Sequence, residues 1–280
     1  MTLILAATPL GNPGDASPRL KSAIENASII AAEDSRRFHR LCADIDVTFT
    51  ARVLSFFEGN EIDRTRELIS ELKTGATVLV VSDAGMPTIS DPGFRLMRDA
   101  IAEGIEVCVI PGPSAVTMSV ALSGLPTDRF SFEGFPPRTA GARVTTFEKL
   151  RFEERTMVFF EAPHRLTDSL VDAVTVFGAD RLGAICREMT KRYEETVRGN
   201  LGELSAWAST NEVLGEITLV IAGAATDSAS LTAADMVGRV REFEAAGMDR
   251  KSAIATVAEE FGIAKRLVYA AVVDANKMSQ

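Results

Sequence analysis

Short apolar runs, each closed by a polar or glycine- and proline-bearing loop and followed by an amphipathic stretch, set the tightest limit on the architecture of this chain. Leu3–Ala7, Ile29–Ala32, Thr77–Val81 and Ile105–Ile110 are such runs, and Val53–Phe57 is a weaker one. An unbroken run of this length suits a strand covered on both faces, as in a parallel sheet. Parallel neighbours need a crossover that is usually helical. Helices are expected between these strands. Ser17 caps one that starts at Pro18 and runs through Asn26. Asp34 precedes a second, Ser35 to Ala43. Asn60 caps a third with Ile62, Leu68, Ile69 and Leu72 on one face, and a fourth runs from Phe94 to Glu103. This is βα repetition, which predicts a parallel or mixed sheet covered by helices.

After Pro111-Gly112-Pro113 the pattern restarts with a small-residue helix, Ala115 to Ser123. Strands are expected at Phe130–Glu133, Met157–Phe160, Leu182–Ile185 and Ile217–Ile221, with helices at Leu166–Phe177 and Leu201–Ala208. Residues 223–230 are small and polar and read as a linker. Beyond them, Thr232 caps a helix ending near Gly247. Lys251–Phe261 and Ala264–Asp274 then form a helix-turn-helix pattern around Gly262. That tail reads either as a helical cap or dimer arm, or as a nucleic-acid contact. The expected organisation is an N-terminal α/β domain over 1–113, a second α/β domain over 114–225 and a helical extension over 230–280.

Composition narrows the function. Of the 280 residues, 46% are hydrophobic, enough for a core that needs no metal or disulfide staple. No apolar run approaches a membrane span. The N-terminus, MTLILAATPLGN, lacks a basic flank and reads as a first strand, not a signal peptide. Cys42, Cys108 and Cys186 form no paired framework and suit a reducing, cytoplasmic setting. His39 and His164 lie far apart, so no metal site is expected. A net charge of −9 argues against gripping bare nucleic acid by bulk electrostatics, though not against a local basic patch.

Several phosphate and nucleophile motifs are absent: GxxxxGK[ST], GxGxxG after the first strand, and GxSxG. What remains is a set of loops at strand carboxyl ends, where open α/β sheets bind ligands. They are Thr8–Asp15, Ser82–Gly93, Pro111–Ala115 and Phe160–Arg165. Each alone passes for an ordinary βα turn. Four together, one of them twelve residues long, point to a ligand site.

Residues Ser82–Gly93 (SDAGMPTISDPG) resemble the signature of a branch of the tetrapyrrole methylase superfamily. TPLGN at 8–12, AAEDSRR at 31–37, PGPSA at 111–115, GLPTDRF at 124–130, EGFPPR at 133–138, FFEAPHRL at 159–166 and CREMTKRYEE at 186–195 follow in the same order. The branch most resembled is ribosomal RNA small subunit methyltransferase I, and the match runs from Leu3 to about Gly223. This chain carries Met86 where threonine is frequent, and Pro13 where the branch is often apolar. The resemblance implies a two-domain α/β tetrapyrrole-methylase-like fold with mixed sheets flanked by helices, plus a small C-terminal helical extension. It also implies a homodimer that uses S-adenosylmethionine to methylate the ribose 2′-hydroxyl of a cytidine in 16S rRNA. The family's cofactor positions carry over to Leu10, Ala84, Gly85, Met86, Ile89, Ser114, Ala115, Glu161 and Met189.

Methyl transfer from a sulfonium needs alignment and a route for the hydroxyl proton; a metal or covalent enzyme intermediate is not required. Glu33 and Asp34, at the end of the second strand, are the candidate bases. Asp34 reads equally as a helix N-cap. Asp83 and Glu161 are alternative bases, or else carboxylates that simply stabilise the sulfonium charge, and His164 reads as a surface or outer residue. Candidate RNA contacts are Arg36, Arg37, Arg138, Arg165 and Lys191, with Arg40, Arg143 and Arg192 nearby; each is otherwise a solvated charge. The acidic total favours a shaped partner, the assembled small ribosomal subunit, over naked RNA. Two other functions stay open: a small-molecule tetrapyrrole methylase, and a non-enzymatic nucleic-acid-binding regulator.

Overall fold

A computed structural model describes residues 1–224, 233–261 and 263–278. Two compact units result, one formed by 1–148 and 155–222, the other by 149–154 and 223–280. The Thr232 cap, the stretch 225–230 of the linker and the Gly262 turn lie outside the described residues.

The first unit opens with strands β1 (Thr2–Ala6), β2 (Ile29–Ala32), β3 (Arg52–Ser55), β4 (Thr77–Val81) and β5 (Glu106–Ile110). They form an all-parallel sheet in the order β3-β2-β4-β1-β5. Helices α1 (Pro18–Asn26), α2 (Ser35–Asp44), α3 (Glu61–Lys73) and α4 (Phe94–Ala102) join the strands. Successive strand residues point to opposite faces. Ile30, Ala32, Leu79 and Val81 therefore pack with Leu20 and Ile24 of α1 and Phe38 and Cys42 of α2. Ile29, Ala31, Val78 and Val80 pack with Leu68 and Leu72 of α3 and Leu96 and Ala100 of α4. Burial on both faces is why these strands read as unbroken apolar runs. The third strand ends at Ser55, two residues short of the expected Phe57, because Asn60 there draws the chain into a turn by accepting the Phe57 N–H at 2.9 Å.

Helix α5 (Ala115–Ser123) leads into the second sheet of the same unit. Its strands are β6 (Phe130–Gly134), β7 (Thr156–Glu161), β8 (Leu182–Arg187), β9 (Glu195–Asn200) and β10 (Ile217–Ile221), in the order β6-β7-β10-β8-β9. Only β6 and β7 are parallel; the other neighbours are antiparallel. Val116 and Val120 of α5 pack on Val158, Ala184 and Val220. Helices α6 (Ala140–Lys149), α7 (Pro163–Phe177) and α8 (Leu201–Thr210) complete this part, with Phe147 of α6 edge-on to Phe159. Sequence reasoning left out α6 and β9. Neither carries a clean apolar period: β9 is an edge strand with no fully buried residue.

Arg143, expected beside the Pro-rich loop as a cation, is instead 3% exposed. Its Nε donates to Asp172 Oδ2 at 2.7 Å and its Nη1 to the Arg138 carbonyl at 3.5 Å. Burial suits it because the carboxylate of α7 supplies the opposite charge. An Arg143→Met variant strands Asp172 and is expected to lose ~3–5 kcal/mol of stability, whereas Arg143→Met with Asp172→Leu recovers most of it. Urea midpoints of the two variants decide this; equal midpoints would contradict the pairing.

The second unit contains helices α9 (Ala233–Ala245), α10 (Arg250–Glu260) and α11 (Lys265–Met278). Val237, Val240, Ala253, Ile254, Val257, Ala258, Val268 and Val272 form its core. Asp249 caps α10 by accepting the Lys251 and Ser252 N–H groups at 3.0 and 3.1 Å.

Candidate functional site

In the parallel sheet all strand carboxyl ends lie on one edge, and β1 sits between β4 and β5. The three loops that follow these strands are thereby brought side by side. Thr8 and Gly85 form an isolated two-bond bridge, with Thr8 N–H donating to the Gly85 carbonyl at 2.9 Å and Gly85 N–H to the Thr8 carbonyl at 3.1 Å. The Thr8 hydroxyl adds a bond to the Ser82 carbonyl at 3.2 Å. Gly85 holds a φ of +82°, a region open to glycine at little cost. Thr88 and Ser90 take positive φ without being glycine, at 77° and 63°. Such conformations persist where surrounding structure over-determines them, and they cluster at ligand sites.

These loops wall a cavity of about 470 Å³, within the usual range for small-molecule sites. Leu10, Ala84, Ala115, Glu161 and Met189 line it. A smaller recess is lined by Gly85, Met86, Ile89 and Ser114 and shares Leu10, Ala84 and Ala115 with the cavity. All nine positions carried over for the cofactor thus border one of two adjoining spaces. Strand β10 adds Ile217 and Thr218, and β7 adds Phe160. No sequence signal marks the β10 pair, because only the pairing of β10 between β7 and β8 brings them there.

One wall is acidic. Glu33, Asp83, Asp91 and Glu216 face the same cavity. The loops after β2 and β4 are cross-tied: Asp83 N–H donates to Glu33 Oε2 at 3.1 Å, and Asp34 N–H donates to Asp83 Oδ1 at 3.0 Å. Burial, with the Asp83 charge adding to it, raises the Glu33 pKa against the Asp83 amide bond that lowers it. Burial likewise raises Asp83. Asp34 differs. Its carboxylate accepts the Arg36 N–H at 2.8 Å and the Arg36 side chain at 2.8 and 3.2 Å, and this pairing holds its pKa at about 2. It is the N-cap of α2 and does not border the large cavity.

Asp91 was missed by sequence reasoning, although it stands inside the 82–93 motif. Burial, reinforced by the Glu33 charge, lifts its pKa to about 7. A carboxyl whose pKa is raised on folding favours the protonated folded state. Its contribution to stability is complete below the unfolded value near 3.8 and is lost as pH rises through about 7. Asp91→Asn removes that loss. The variant is expected to be more stable than the parent at pH 8, by ~1–3 kcal/mol, and to match it near pH 4. Thermal midpoints across that range test this; a gap that does not narrow on acidification counts against it.

The cationic positions divide into two groups. Arg36 is 90% exposed, and Arg37 reaches Asp83 at 3.3 Å while bordering the cavity. Arg138 is exposed. Arg165 and Lys191, expected to face substrate, are engaged in the protein. Arg165 Nη2 donates to the carbonyls of Pro136 and Pro137 at 2.5 and 3.1 Å, and its Nε lies 3.3 Å from Glu161. Lys191 pairs with Glu188 and Glu216 at 2.9 and 3.1 Å. Its stem lies against Gly11, where a Cβ would collide with it. Tethers of this kind spend the charge inside the fold. Glu161 is 3% exposed and accepts from the Ser169 hydroxyl at 2.5 Å and the Ala162 N–H at 2.8 Å. Among the described residues no cluster of three or more His, Cys, Asp or Glu is arranged to hold a metal, and no helix is long and apolar enough to cross a membrane.

Comparison with known proteins bears on the family and the fold. The family model described as Tetrapyrrole (Corrin/Porphyrin) Methylases matches residues 2–205. The ribosomal RNA small subunit methyltransferase I of Mycobacterium tuberculosis is 48% identical over 276 residues, 98% of this chain and 95% of the relative. Among solved structures, the methyltransferase CobJ superposes with a TM-score of 0.61 at 18% identity, over 80% of this chain and 94% of the other. The Thermus thermophilus uroporphyrin-III C-methyltransferase complexed with S-adenyl homocysteine gives a TM-score of 0.54 at 15% identity, over 79% and 96%. These two likenesses speak to the fold. The family match and the near full-length identity go further: this chain belongs to the tetrapyrrole methylase family and, within it, to the ribosomal RNA small subunit methyltransferase I group.

Proposed function

We propose that this chain transfers the methyl group of S-adenosylmethionine to the 2′-hydroxyl of a cytidine in 16S rRNA, acting on the assembled small ribosomal subunit. The observation that carries the reading is the convergence of four strand-end loops on one cavity lined by both apolar and acidic side chains. That donor set fits the cofactor. The recess of small residues around Gly85 and Ser114 admits close backbone approach, and the carboxylates match a sulfonium and an ammonium group. When bound, the cofactor supplies an electrophilic methyl group.

The chain's own residues do the rest. Backbone and side chains of 84–89 and 114–115 fix the donor's orientation, and such positioning lowers the barrier to an in-line transfer by ~5 kcal/mol or more. Glu33 accepts the hydroxyl proton. Its raised pKa makes it a stronger base than an ordinary carboxylate. Asp34, with a pKa of about 2, is a poor proton acceptor and acts by anchoring α2 and Arg36. Arg36, Arg37 and Arg138 meet the RNA backbone. The homodimer rests on the family resemblance, and the cytoplasmic setting on the unpaired Cys42, Cys108 and Cys186.

The test offers purified protein and methyl-labelled S-adenosylmethionine three acceptors: small subunits, naked 16S rRNA and a uroporphyrinoid tetrapyrrole. Label is expected in subunit RNA, recovered after nuclease digestion as 2′-O-methylcytidine. Label in the tetrapyrrole alone, or none in any acceptor, refutes the proposal.

A further inference from the structure

We infer that Phe135 is a stacking platform for the pyrimidine ring of the target nucleotide, held at the mouth of the cavity by one buried and one half-buried arginine. The inference deepens the RNA-acceptor reading and rests on it. Phe135 lies in the loop after β6 and is 55% exposed, yet its ring borders the cavity and stands edge-on to Phe160 at 5.6 Å. An exposed aromatic ring on a mobile loop would gain little by being there. This loop is fixed. Pro136 and Pro137 restrict its backbone, and three successive carbonyls are taken by arginine donors. Arg165 holds those of Pro136 and Pro137, and Arg143 holds that of Arg138. Each arginine is anchored by its own acid, Glu161 and Asp172. The ring is thus presented in a set orientation, at low entropic cost to a partner.

Its position overlaps only one of the two spaces that the cofactor positions border. The narrow recess around Gly85, Met86 and Ser114 does not include Phe135. The larger space that does include it also holds Glu33, the proton acceptor of the proposed reaction, and Arg37, one of the cations proposed to meet the RNA. A single-stranded base drawn into that space meets an aromatic face in a cavity that a guanidinium also lines, and aromatic rings and arginine planes are the groups proteins use to hold unstacked bases.

Steady-state methylation of small subunits by Phe135→Ala, Phe135→Leu and Phe135→Trp, with calorimetry of S-adenosylmethionine binding, tests this. Alanine and leucine are expected to raise KM for subunits about tenfold or more. Cofactor affinity should stay within about twofold, and tryptophan should restore KM. The platform is overturned by an unchanged KM in the alanine variant, by an equal loss of cofactor affinity, or by full rescue with leucine, which keeps volume without a π face. A parent chain that methylates subunits while Phe135→Ala does so equally well overturns this inference alone. A parent chain inert toward subunits overturns the RNA reading and this inference together.

Discussion

A Gly85→Val variant is expected to bind S-adenosylmethionine about a hundredfold more weakly than the parent chain, a change of ~3 kcal/mol. Three costs converge there. The residue sits at φ +82°, where a β-branched side chain is a steric outlier worth ~1–3 kcal/mol. A Cβ at this position would lie 3.1 Å from Leu10 Cδ2 and 3.7 Å from the Pro113 carbonyl oxygen, and valine adds two methyl groups beyond it. Relief of that crowding means moving Leu10 or the 111–115 turn, both of which wall the donor pocket. It also pulls on the paired bonds between Thr8 and Gly85, which hold the loops after β1 and β4 together. Gly85→Ala shares the backbone penalty with less crowding, so its affinity should fall between the two. Calorimetric titration gives the comparison directly. Near-parent affinity in the valine variant would mean that the 84–86 segment does not shape the donor pocket.

Removing the Glu161 carboxylate is expected to cost ~3–5 kcal/mol of stability, along with most of the methylation activity. The group is buried, and it holds three partners at once: the Ser169 hydroxyl of α7, the Ala162 N–H and the Arg165 side chain. In Glu161→Ala the guanidinium of Arg165, only 16% exposed, is left without its counter-charge. That is the expensive case, because a buried charge without a partner loses solvation and gains nothing in return. Arg165 in turn holds Pro136 and Pro137, so the loop at the cavity mouth loosens as well. Glu161→Gln keeps an acceptor for Ser169 and should cost less. Glu161→Ala with Arg165→Met removes both charges and should regain part of the loss. Urea midpoints for the set test the ranking. A Glu161→Ala midpoint equal to the parent's would show that the carboxylate holds no structural charge.

How much of this was legible beforehand depends on whether a feature is local. The buried strands were read from apolar runs, and β1, β2, β4 and β10 fall within a residue or so of the expected positions. The caps at Ser17 and Asp34 follow from side-chain chemistry a few residues away, and both side chains accept the expected backbone N–H. Strand β9 escaped notice because hydrophobic period reports burial, and an edge strand has little. Asp91 was inside a quoted motif, yet nothing in sequence distinguishes a buried carboxyl from a solvated one.

The sequence by itself determined the buried strands and most of the helices, the family, and which loops carry unusual glycine, proline and small residues, since each depends on neighbours along the chain. Only the tertiary structure decided which loops meet and which charges remain free. The strand order β3-β2-β4-β1-β5 puts the loops after β1 and β4 side by side although 74 residues separate Thr8 from Ser82. Arg143, Arg165 and Lys191 look like solvated cations until the fold supplies Asp172, Glu161 and Glu216 as partners. Burial and pairing are properties of three-dimensional neighbours, and electrostatic energy depends on distance and solvent access, neither of which a one-dimensional pattern records.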